Sequence, residues 1–201
     1  MKIICVGRNY AEHAKELDNP IPEEPMFFMK PDTALMKDSQ FVIPSFSDEI
    51  HFEVEIVLKI SKTGKMIQPE FAHRYYDEIG LGIDFTARDM QTKLKEQRFP
   101  WEKAKSFDHS AFVSSFYSKN NFDLAHLDFG LMKNNTWVQQ GNTHELLFDF
   151  DTLIVEASKY FTLKKGDLIF TGTPKGVGQI ISKDILSGYL NQKKVFEVSV
   201  L

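Results

Sequence analysis

Hydrophobic and polar positions alternate most regularly along residues 49–60, with the sequence EIHFEVEIVLKI. A period of two is typical of a β-strand, and the apolar run at 56–58 indicates that this strand enters a core. The alternation predicts two faces, a polar one with His51, Glu53 and Glu55 and an apolar one with Phe52, Val54 and Ile56. Carboxylates two positions apart on one strand face lie about 7 Å apart at Cα, close enough to converge on one cation.

Acidic side chains beside an apolar run are costly to bury unless a cation or a proton compensates them. The spacing of Glu53 and Glu55 is therefore compatible with a metal site, although a solvated strand face is the more common explanation of such a pair. A second apolar strand, predicted over 79–86, contains two glycines and carries Asp84 near its end. Asp84 is the natural third ligand, and three carboxylates suit Mg²⁺, Mn²⁺ or Ca²⁺ better than zinc.

The remaining pattern predicts short strands separated by turns and a few helices. Strands are predicted at 2–6, 26–31, 41–44, 111–113, 168–170 and, as a pair, within 185–200, and a hairpin joins 129–132 to 137–140 through Asn134 and Asn135. Helices are predicted at 10–17 with Asn9 as N-cap, at 86–97, and at 151–160 with Asp151 as N-cap.

Composition narrows the classes of function. The 201 residues predict one domain, 1–201, and the 24 basic residues against 28 acidic ones, without a basic stripe, make nucleic acid an unexpected partner. Cys5 is the only cysteine, so no intrachain disulfide can form, and a reducing cytoplasm fits best. No apolar run is long enough to span a membrane, and no signal-peptide pattern follows Met1.

Two pairs of polar residues are spaced to share a helix face. His13 and Glu16 stand three apart, and a carboxylate that fixes the imidazole tautomer makes a workable general base. An ordinary surface helix with a single histidine fits the same pattern. Arg88 and Gln91 are also three apart and could equally be exposed polar positions.

Lys30 and the glycine-rich segment 171–178 complete the candidate chemistry. Lys30 ends a predicted strand, where it is either a surface lysine or a counter-charge for the acids. The segment TGTPKGVG lacks the spacing of a nucleotide-binding loop. Its backbone N–H groups and hydroxyls, including those of Gly172 and Thr173, could still bind a small carboxylate, and a plain turn is the alternative.

Six motifs in this order carry a resemblance that covers nearly the whole chain. They are Val6–His13, Phe28–Pro31, His51–Glu55, Asp84–Asp89, Ala104–Phe107 and Thr171–Gly178. The set resembles the fumarylacetoacetate hydrolase family, in particular its single-domain acylpyruvase and oxaloacetate decarboxylase branch. The resemblance implies a mostly β fold with short helices (α+β), a sandwich-like roll of mixed sheets, and a homodimer.

The resemblance also implies roles by position. Glu53, Glu55 and Asp84 would bind Mg²⁺ or Mn²⁺, His13 and Glu16 would activate water from a lid helix, Lys105 and Gln91 would meet the oxo group and the attacking water, and Arg88, Thr173, Lys30 and Gly172 would bind substrate. The implied reaction is metal-dependent cleavage of a carbon–carbon bond in a 2-oxo acid, through an enolate of pyruvate. Acylpyruvate hydrolysis and oxaloacetate decarboxylation are the expected forms. The alternatives are an isomerase, decarboxylase or hydratase of an aromatic-degradation pathway, acting on 2-hydroxyhepta-2,4-diene-1,7-dioate-like diacids, and a non-catalytic module that binds a 2-oxo acid or metal.

Overall fold

The computed structural model describes residues 1–16 and 20–201. Its strands are β1 (Ile3–Gly7), β2 (Met26–Lys30), β3 (Gln40–Phe41), β4 (Ile50–Phe52), β5 (Val54–Ile60), β6 (Tyr76–Asp84), β7 (Thr86–Ala87), β8 (Ala111–Val113), β9 (Tyr117–Ser118), β10 (Asp128–Lys133), β11 (Thr136–Asn142), β12 (Leu168–Phe170), β13 (Gly178–Gln179), β14 (Ile185–Leu190) and β15 (Lys193–Val200). Its helices are α1 (Ala11–Glu16), α2 (Arg88–Glu96), α3 (Glu102–Lys105) and α4 (Phe150–Tyr160), and 3₁₀ turns lie at Asp32–Ala34, Pro69–Arg74, Lys119–Asn121 and Thr143–Glu145. This mostly β architecture with short helices confirms the predicted fold class.

The strands form three sheets, of which the two larger ones are mixed and the smallest is antiparallel. The large sheet has the order β2-β1-β12-β5-β6-β8, with β9 also paired to β6, and only its β1–β12 pair is parallel among the described pairings. The second sheet has the order β11-β10-β14-β15-β3, and the smallest has the order β13-β4-β7. Within the described residues, no helix is long and apolar enough to cross a membrane.

The large sheet is buried on both faces, which explains why its central strands are almost wholly apolar. Ile56 and Leu58 of β5 face the main core, which the second sheet and α4 complete. Val57 faces the other way, into a smaller cluster with Cys5 and Phe170. The acidic positions of β5 and β6 point to this smaller cluster, because residues two apart on a strand share a face.

The prediction of a single strand over 49–60 is wrong, because the structure has two strands there, β4 and β5, with a break at Glu53. The chain leaves the smallest sheet after β4 and enters the large sheet with β5, so Glu53 belongs to neither strand. The Val54 N–H donates to the side-chain oxygen of Gln139 at 2.9 Å at this crossing. Alternation along the sequence could not show the break, because it depends on two different sets of partner strands.

Both predicted helix caps are wrong, whereas the hairpin is confirmed. Tyr10, not Asn9, precedes α1, and Asp149 rather than Asp151 caps α4 through a 2.8 Å hydrogen bond from the Thr152 N–H. The predicted end of the first helix, at Leu17, lies outside the described residues. The hairpin of β10 and β11 turns through Asn134 and Asn135, both with positive φ.

Gly82 of β6 illustrates how closely the layers of the small cluster approach each other. A Cβ at this position would lie 2.6 Å from the Phe112 carbonyl oxygen and 2.8 Å from atoms of Phe170 and Val57. Gly82 also pairs directly with Glu55, so this close packing lies directly beside that residue.

We expect Gly82→Ala to lower the free energy of unfolding by about 1–3 kcal/mol, because the backbone of Phe112 cannot move aside cheaply. Asp77→Ala, at an exposed position of the same strand, should change it by less than about 0.5 kcal/mol. Urea unfolding of both variants measures the difference. Equal stabilities for the two variants would contradict this account of the packing.

Candidate active site

Three buried carboxylates meet where β4, β5 and β6 come together. Glu53 lies at the crossing between sheets, Glu55 is the second residue of β5, and Asp84 ends β6. The Asp84 N–H donates to the Glu53 carbonyl oxygen at 2.8 Å, which holds the two backbones in register. One carboxylate oxygen from each residue lies within 4.8 Å of the others, and the residues are 6%, 2% and 0% exposed. The exposed strand face that the spacing left open is therefore excluded.

Three cationic side chains compensate these acids. The Lys105 ammonium donates to Glu53 Oε2 and to Asp84 Oδ2, both at 2.8 Å. The Arg88 guanidinium donates to Glu53 Oε1 at 2.5 Å. The Lys30 ammonium lies 2.7 Å from Asp84 Oδ1, an ion pair without hydrogen-bond alignment, so that buried oxygen lacks a hydrogen-bond donor.

The charges act differently on the two glutamates. Burial alone would raise the pKa of Glu53, but the charges of Lys105 and Arg88 outweigh it and hold the pKa well below its ordinary value. Burial raises the pKa of Glu55, and the neighbouring carboxylates of Asp84 and Glu53 raise it further. Burial would lower the pKa of Lys105, whereas Asp84 and Glu53 raise it above its ordinary value, which keeps this lysine charged.

Lys30 does not line the pocket, contrary to its predicted contact with substrate. Its side chain is completely buried behind the acids, where the ammonium donates to the carbonyl oxygens of Lys105 and Ser110 and to the Ser110 hydroxyl. A buried ammonium so enclosed acts as a counter-charge, the other reading of its sequence position. It also fixes the backbone from which Lys105 projects.

Gly172 likewise does not line the pocket. Its backbone contacts Glu55, one of the proposed metal ligands. Its φ is +104°, and a Cβ there would lie 2.6 Å from the Cβ of Asn9, so the position requires glycine. The Gly172 N–H donates to Glu55 Oε2 at 2.7 Å. Thr173, the next residue, does line the pocket, and its hydroxyl donates to the Val54 carbonyl oxygen at 2.9 Å.

The predicted His13–Glu16 pair forms on α1. His13 Nδ1 lies 3.2 Å from Glu16 Oε2, and the Gly176 N–H donates to the same carboxylate at 3.0 and 3.2 Å. Glu16 thus connects the helix to the glycine-rich segment while it orients the imidazole. His13 is buried and lines the pocket.

One pocket brings most of the predicted site residues together. It is lined by Val6, Gly7, Arg8, His13, Met26, Phe28, Glu53, Glu55, Arg88, Gln91, Lys95, Trp101, Lys105 and Thr173. Gln91 accepts a 2.6 Å hydrogen bond from Arg88, as their helical spacing allows. Of the predicted positions, Lys30, Gly172, Asp84 and Glu16 support this pocket from behind.

Sequence reasoning missed two residues that organise the site. The Thr86 hydroxyl accepts from Lys105 at 2.6 Å and donates to Glu53 at 3.1 Å. Gln139, on the second sheet, binds Val54 and donates to the Thr173 hydroxyl at 2.8 Å. Thr86 follows Asp84 closely and could have been noticed, but nothing in the hairpin sequence marks Gln139 as buried.

The donor set fits a hard divalent cation. Glu55 has no ion pair among the described residues and accepts only the Gly172 N–H there, so its oxygens are short of positive charge. Asp84 Oδ1 also lacks a hydrogen bond. Carboxylate oxygens are the donors that Mg²⁺, Mn²⁺ and Ca²⁺ prefer.

Comparisons with known proteins agree with this geometry. The family model "Fumarylacetoacetate (FAA) hydrolase C-terminal" matches residues 2–200. The chain is 41% identical to oxaloacetate tautomerase YcgM of Escherichia coli strain K12 over 189 residues, which cover 92% of this chain and 86% of the relative. It is also 41% identical to the mitochondrial oxaloacetate decarboxylase of Dictyostelium discoideum, over 89% of this chain and 84% of the relative.

A solved structure extends the likeness to three dimensions. Fumarylpyruvate hydrolase from Pseudomonas aeruginosa, in complex with Mn²⁺ and pyruvate, superposes with a TM-score of 0.94 at 32% identity, covering 100% of this chain and 89% of that one. The match of the family model over nearly all residues, together with these relatives, shows that the chain belongs to the fumarylacetoacetate hydrolase family.

Proposed function

We propose that the protein is a metal-dependent enzyme that enolises short 2-oxo acids, with oxaloacetate as the leading substrate. The observation that carries this proposal is the convergence of three buried acids, Lys105 and the His13–Glu16 pair on one pocket. Interconversion of the keto and enol forms needs a group that removes a proton from C3 and charge stabilisation at the C2 oxygen. Both are present around this pocket.

The acids and Lys105 would act on the carbonyl end of the substrate. Glu53, Glu55 and Asp84 would hold Mg²⁺ or Mn²⁺, which supplies Lewis acidity toward the carboxylate and ketone oxygens of a 2-oxo acid. The Lys105 ammonium would exchange one of its three hydrogen bonds, to Glu53, Asp84 and Thr86, for one to the C2 oxygen as negative charge develops there. Its network to Thr86 and the acids holds it in place for this role.

His13 would act as the base. Glu16 fixes the tautomer in which Nδ1 bears the hydrogen, so Nε2 is free to take the C3 proton. The proton returns to the C2 oxygen to give the enol, and the reverse path restores the ketone. In decarboxylation, the electron pair of the carbon–carbon bond that breaks moves to the same oxygen. No base is needed for that step.

Hydrolysis of acylpyruvates is the second candidate reaction. The same His13–Glu16 pair could deprotonate a water molecule that attacks the distal acyl carbonyl, and Gln91 would position that water. The similarity to a fumarylpyruvate hydrolase favours this candidate, whereas the two relatives that act on oxaloacetate favour the first. Isomerisation or hydration of longer diacids and a non-catalytic binding role remain the contrasting functions.

The predicted assembly and setting are also proposals. Mg²⁺ is proposed as the physiological ion, with Mn²⁺ as a substitute, since a Mn²⁺ complex exists for a structural relative. A homodimer and a cytoplasmic location are proposed from the sequence resemblance and the lone buried Cys5.

The first test measures keto–enol interconversion of oxaloacetate by ultraviolet absorbance, and pyruvate release from oxaloacetate, acetylpyruvate and fumarylpyruvate. We expect activity with Mg²⁺ or Mn²⁺ and none in EDTA. His13→Ala should lower interconversion and hydrolysis about 10²- to 10⁴-fold, the usual contribution of a general base, and should affect decarboxylation far less.

His126→Ala is the matched control for this test, because that histidine is exposed and outside the pocket. It should leave every rate unchanged. The absence of turnover with all three substrates would remove the proposed function. An equal loss of decarboxylation and interconversion in His13→Ala would remove the assigned role of the base.

The second test addresses the metal ligands through Glu55→Gln. Its Mn²⁺ affinity, measured by calorimetry, should fall at least about tenfold, because a ligand charge is lost. In EDTA the same variant should melt at a higher temperature than the parent. The raised pKa of Glu55 means that its ionised form costs folding energy as pH rises above the unfolded pKa, and the amide removes that cost.

Glu78→Gln, on β6 and outside the site, serves as the control and should change neither property. Unaltered Mn²⁺ affinity in Glu55→Gln would show that this carboxylate is not a ligand.

A further inference from the structure

One cationic side chain in the pocket has no counter-charge among the residues that the structure describes. Arg8 follows β1 directly and lines the same pocket as Glu53 and Lys105. No hydrogen bond or ion pair of its side chain is found with residues 1–16 and 20–201. By contrast, Arg88 and Lys105 are both bound to the buried acids.

The backbone fixes where Arg8 sits. Its φ is +60°, in the left-handed region that non-glycine residues rarely adopt. The neighbouring Asn9 is fully buried, and its side chain donates to the carbonyl oxygens of Thr171 and Phe148 while accepting the Phe148 N–H. These three bonds tie the segment after β1 to Thr171 in the glycine-rich segment and to Phe148 ahead of α4, so Arg8 is presented by a well-anchored turn.

The pocket as a whole is rich in positive charge. Four cationic side chains line it, those of Arg8, Arg88, Lys95 and Lys105, against the two carboxylates of Glu53 and Glu55. Burial lowers the pKa of Arg8, and burial together with the charges of Arg8 and Arg88 lowers the pKa of Lys95. The effect of Arg8 and Arg88 on Lys95 places these cations near one another, at one side of the pocket.

The positive charge of the pocket indicates which kind of ligand it would favour. The acids and Lys105 account for the carboxylate and ketone of a 2-oxo acid under the proposed function. A neutral acyl tail could pack against the apolar side chains of Met26, Phe28 and Trp101. It would still leave Arg8 without a partner among the described residues. A second carboxylate would give Arg8 a partner that matches its planar, two-donor geometry.

We propose that Arg8 binds the second carboxylate of a dianionic 2-oxo acid and thereby makes the enzyme select 2-oxo dicarboxylates over acylpyruvates with uncharged tails. This inference rests on the proposed function and names its substrate class. Arg8 is the specificity-determining residue, and the metal ligands and His13 serve either substrate class alike.

The kinetic test compares oxaloacetate with acetylpyruvate in the Mn²⁺-loaded protein. Arg8→Gln should lower kcat/KM for oxaloacetate roughly 10- to 150-fold, the range for a hydrogen bond between charged groups, mainly through a higher KM. For acetylpyruvate the change should stay below about threefold. Arg8→Lys keeps the charge without the planar fork and should recover part of the loss.

Arg74→Gln is the matched control, an exposed arginine on the 3₁₀ turn Pro69–Arg74 that packs on Phe71. It should leave both substrates unaffected. An equal fall for both substrates in Arg8→Gln, or no fall for oxaloacetate, would overturn the proposal. Melting temperatures of the Arg8 variants show whether each is folded. If Arg8→Gln is not folded, the substrate comparison in Arg8→Lys decides the test.

A binding measurement separates this inference from the proposed function. Malate differs from lactate by one carboxylate, and neither has the ketone needed for turnover. We expect calorimetry with Mn²⁺ present to show malate bound at least about tenfold more tightly, and the difference to vanish in Arg8→Gln. Equal affinities in the parent protein would overturn the role of Arg8. If oxaloacetate and acetylpyruvate were both inert, the proposed function would fail while this comparison still decided the carboxylate site.

Discussion

The balance of buried charge between three acids and three cations is the constraint on which this structure depends. Glu53, Glu55 and Asp84 could not remain ionised in a nearly water-free site alone, because desolvation of each carboxylate is expensive. Lys30, Lys105 and Arg88 compensate them unevenly. Glu53 and Asp84 are paired, whereas Glu55 receives only a backbone N–H from the described residues. The three formal positive charges thus equal the three negative ones in number, but none of these cations pairs with Glu55, whose oxygens are left available for a further cation.

The fold supplies this arrangement through a strand that changes sheets. Because β4 and β5 belong to different sheets, Glu53 sits at a corner where its side chain can reach Lys105 and Arg88. Gly82, which pairs with Glu55, allows Phe112, Phe170 and Val57 to pack closely there, and Gly172 allows the glycine-rich segment to approach within hydrogen-bonding distance of the Glu55 carboxylate. Gly172 therefore serves the geometry of the acids, and Gly82 serves the packing around them.

The two parts of the pocket differ in chemistry, since one end is acidic and the remaining wall is apolar and cationic. Under the proposed function its acidic end, with a bound cation, would take the head of a 2-oxo acid, and His13 is held beside it by Glu16, which is itself anchored to Gly176. Its remaining wall combines the apolar Met26, Phe28 and Trp101 with cations. The named relatives of this chain include a tautomerase, a decarboxylase and a hydrolase. We regard the wall as the part that sets the substrate.

The sequence by itself determined the elements whose signals are local. Alternation and apolar runs predicted most strands, the turn residues predicted the β10–β11 hairpin, and six ordered motifs indicated the family. The Glu53–Glu55 spacing and the position of Asp84 predicted a three-carboxylate cluster, which the structure brings together. These features depend on residue type and spacing over a few positions.

Tertiary structure decided what depends on partners distant in the chain. The break at Glu53 arises from pairing with different sheets, and the burial of Lys30 arises from its contacts with Ser110 and Asp84 across the large sheet. The predicted N-caps of α1 and α4 were wrong because a cap depends on where a helix begins, and that point can differ by a residue or two from the one that the sequence indicates. That Arg8 has no partner within residues 1–16 and 20–201 became visible only in three dimensions, because a sequence records which charges are present but not which of them meet.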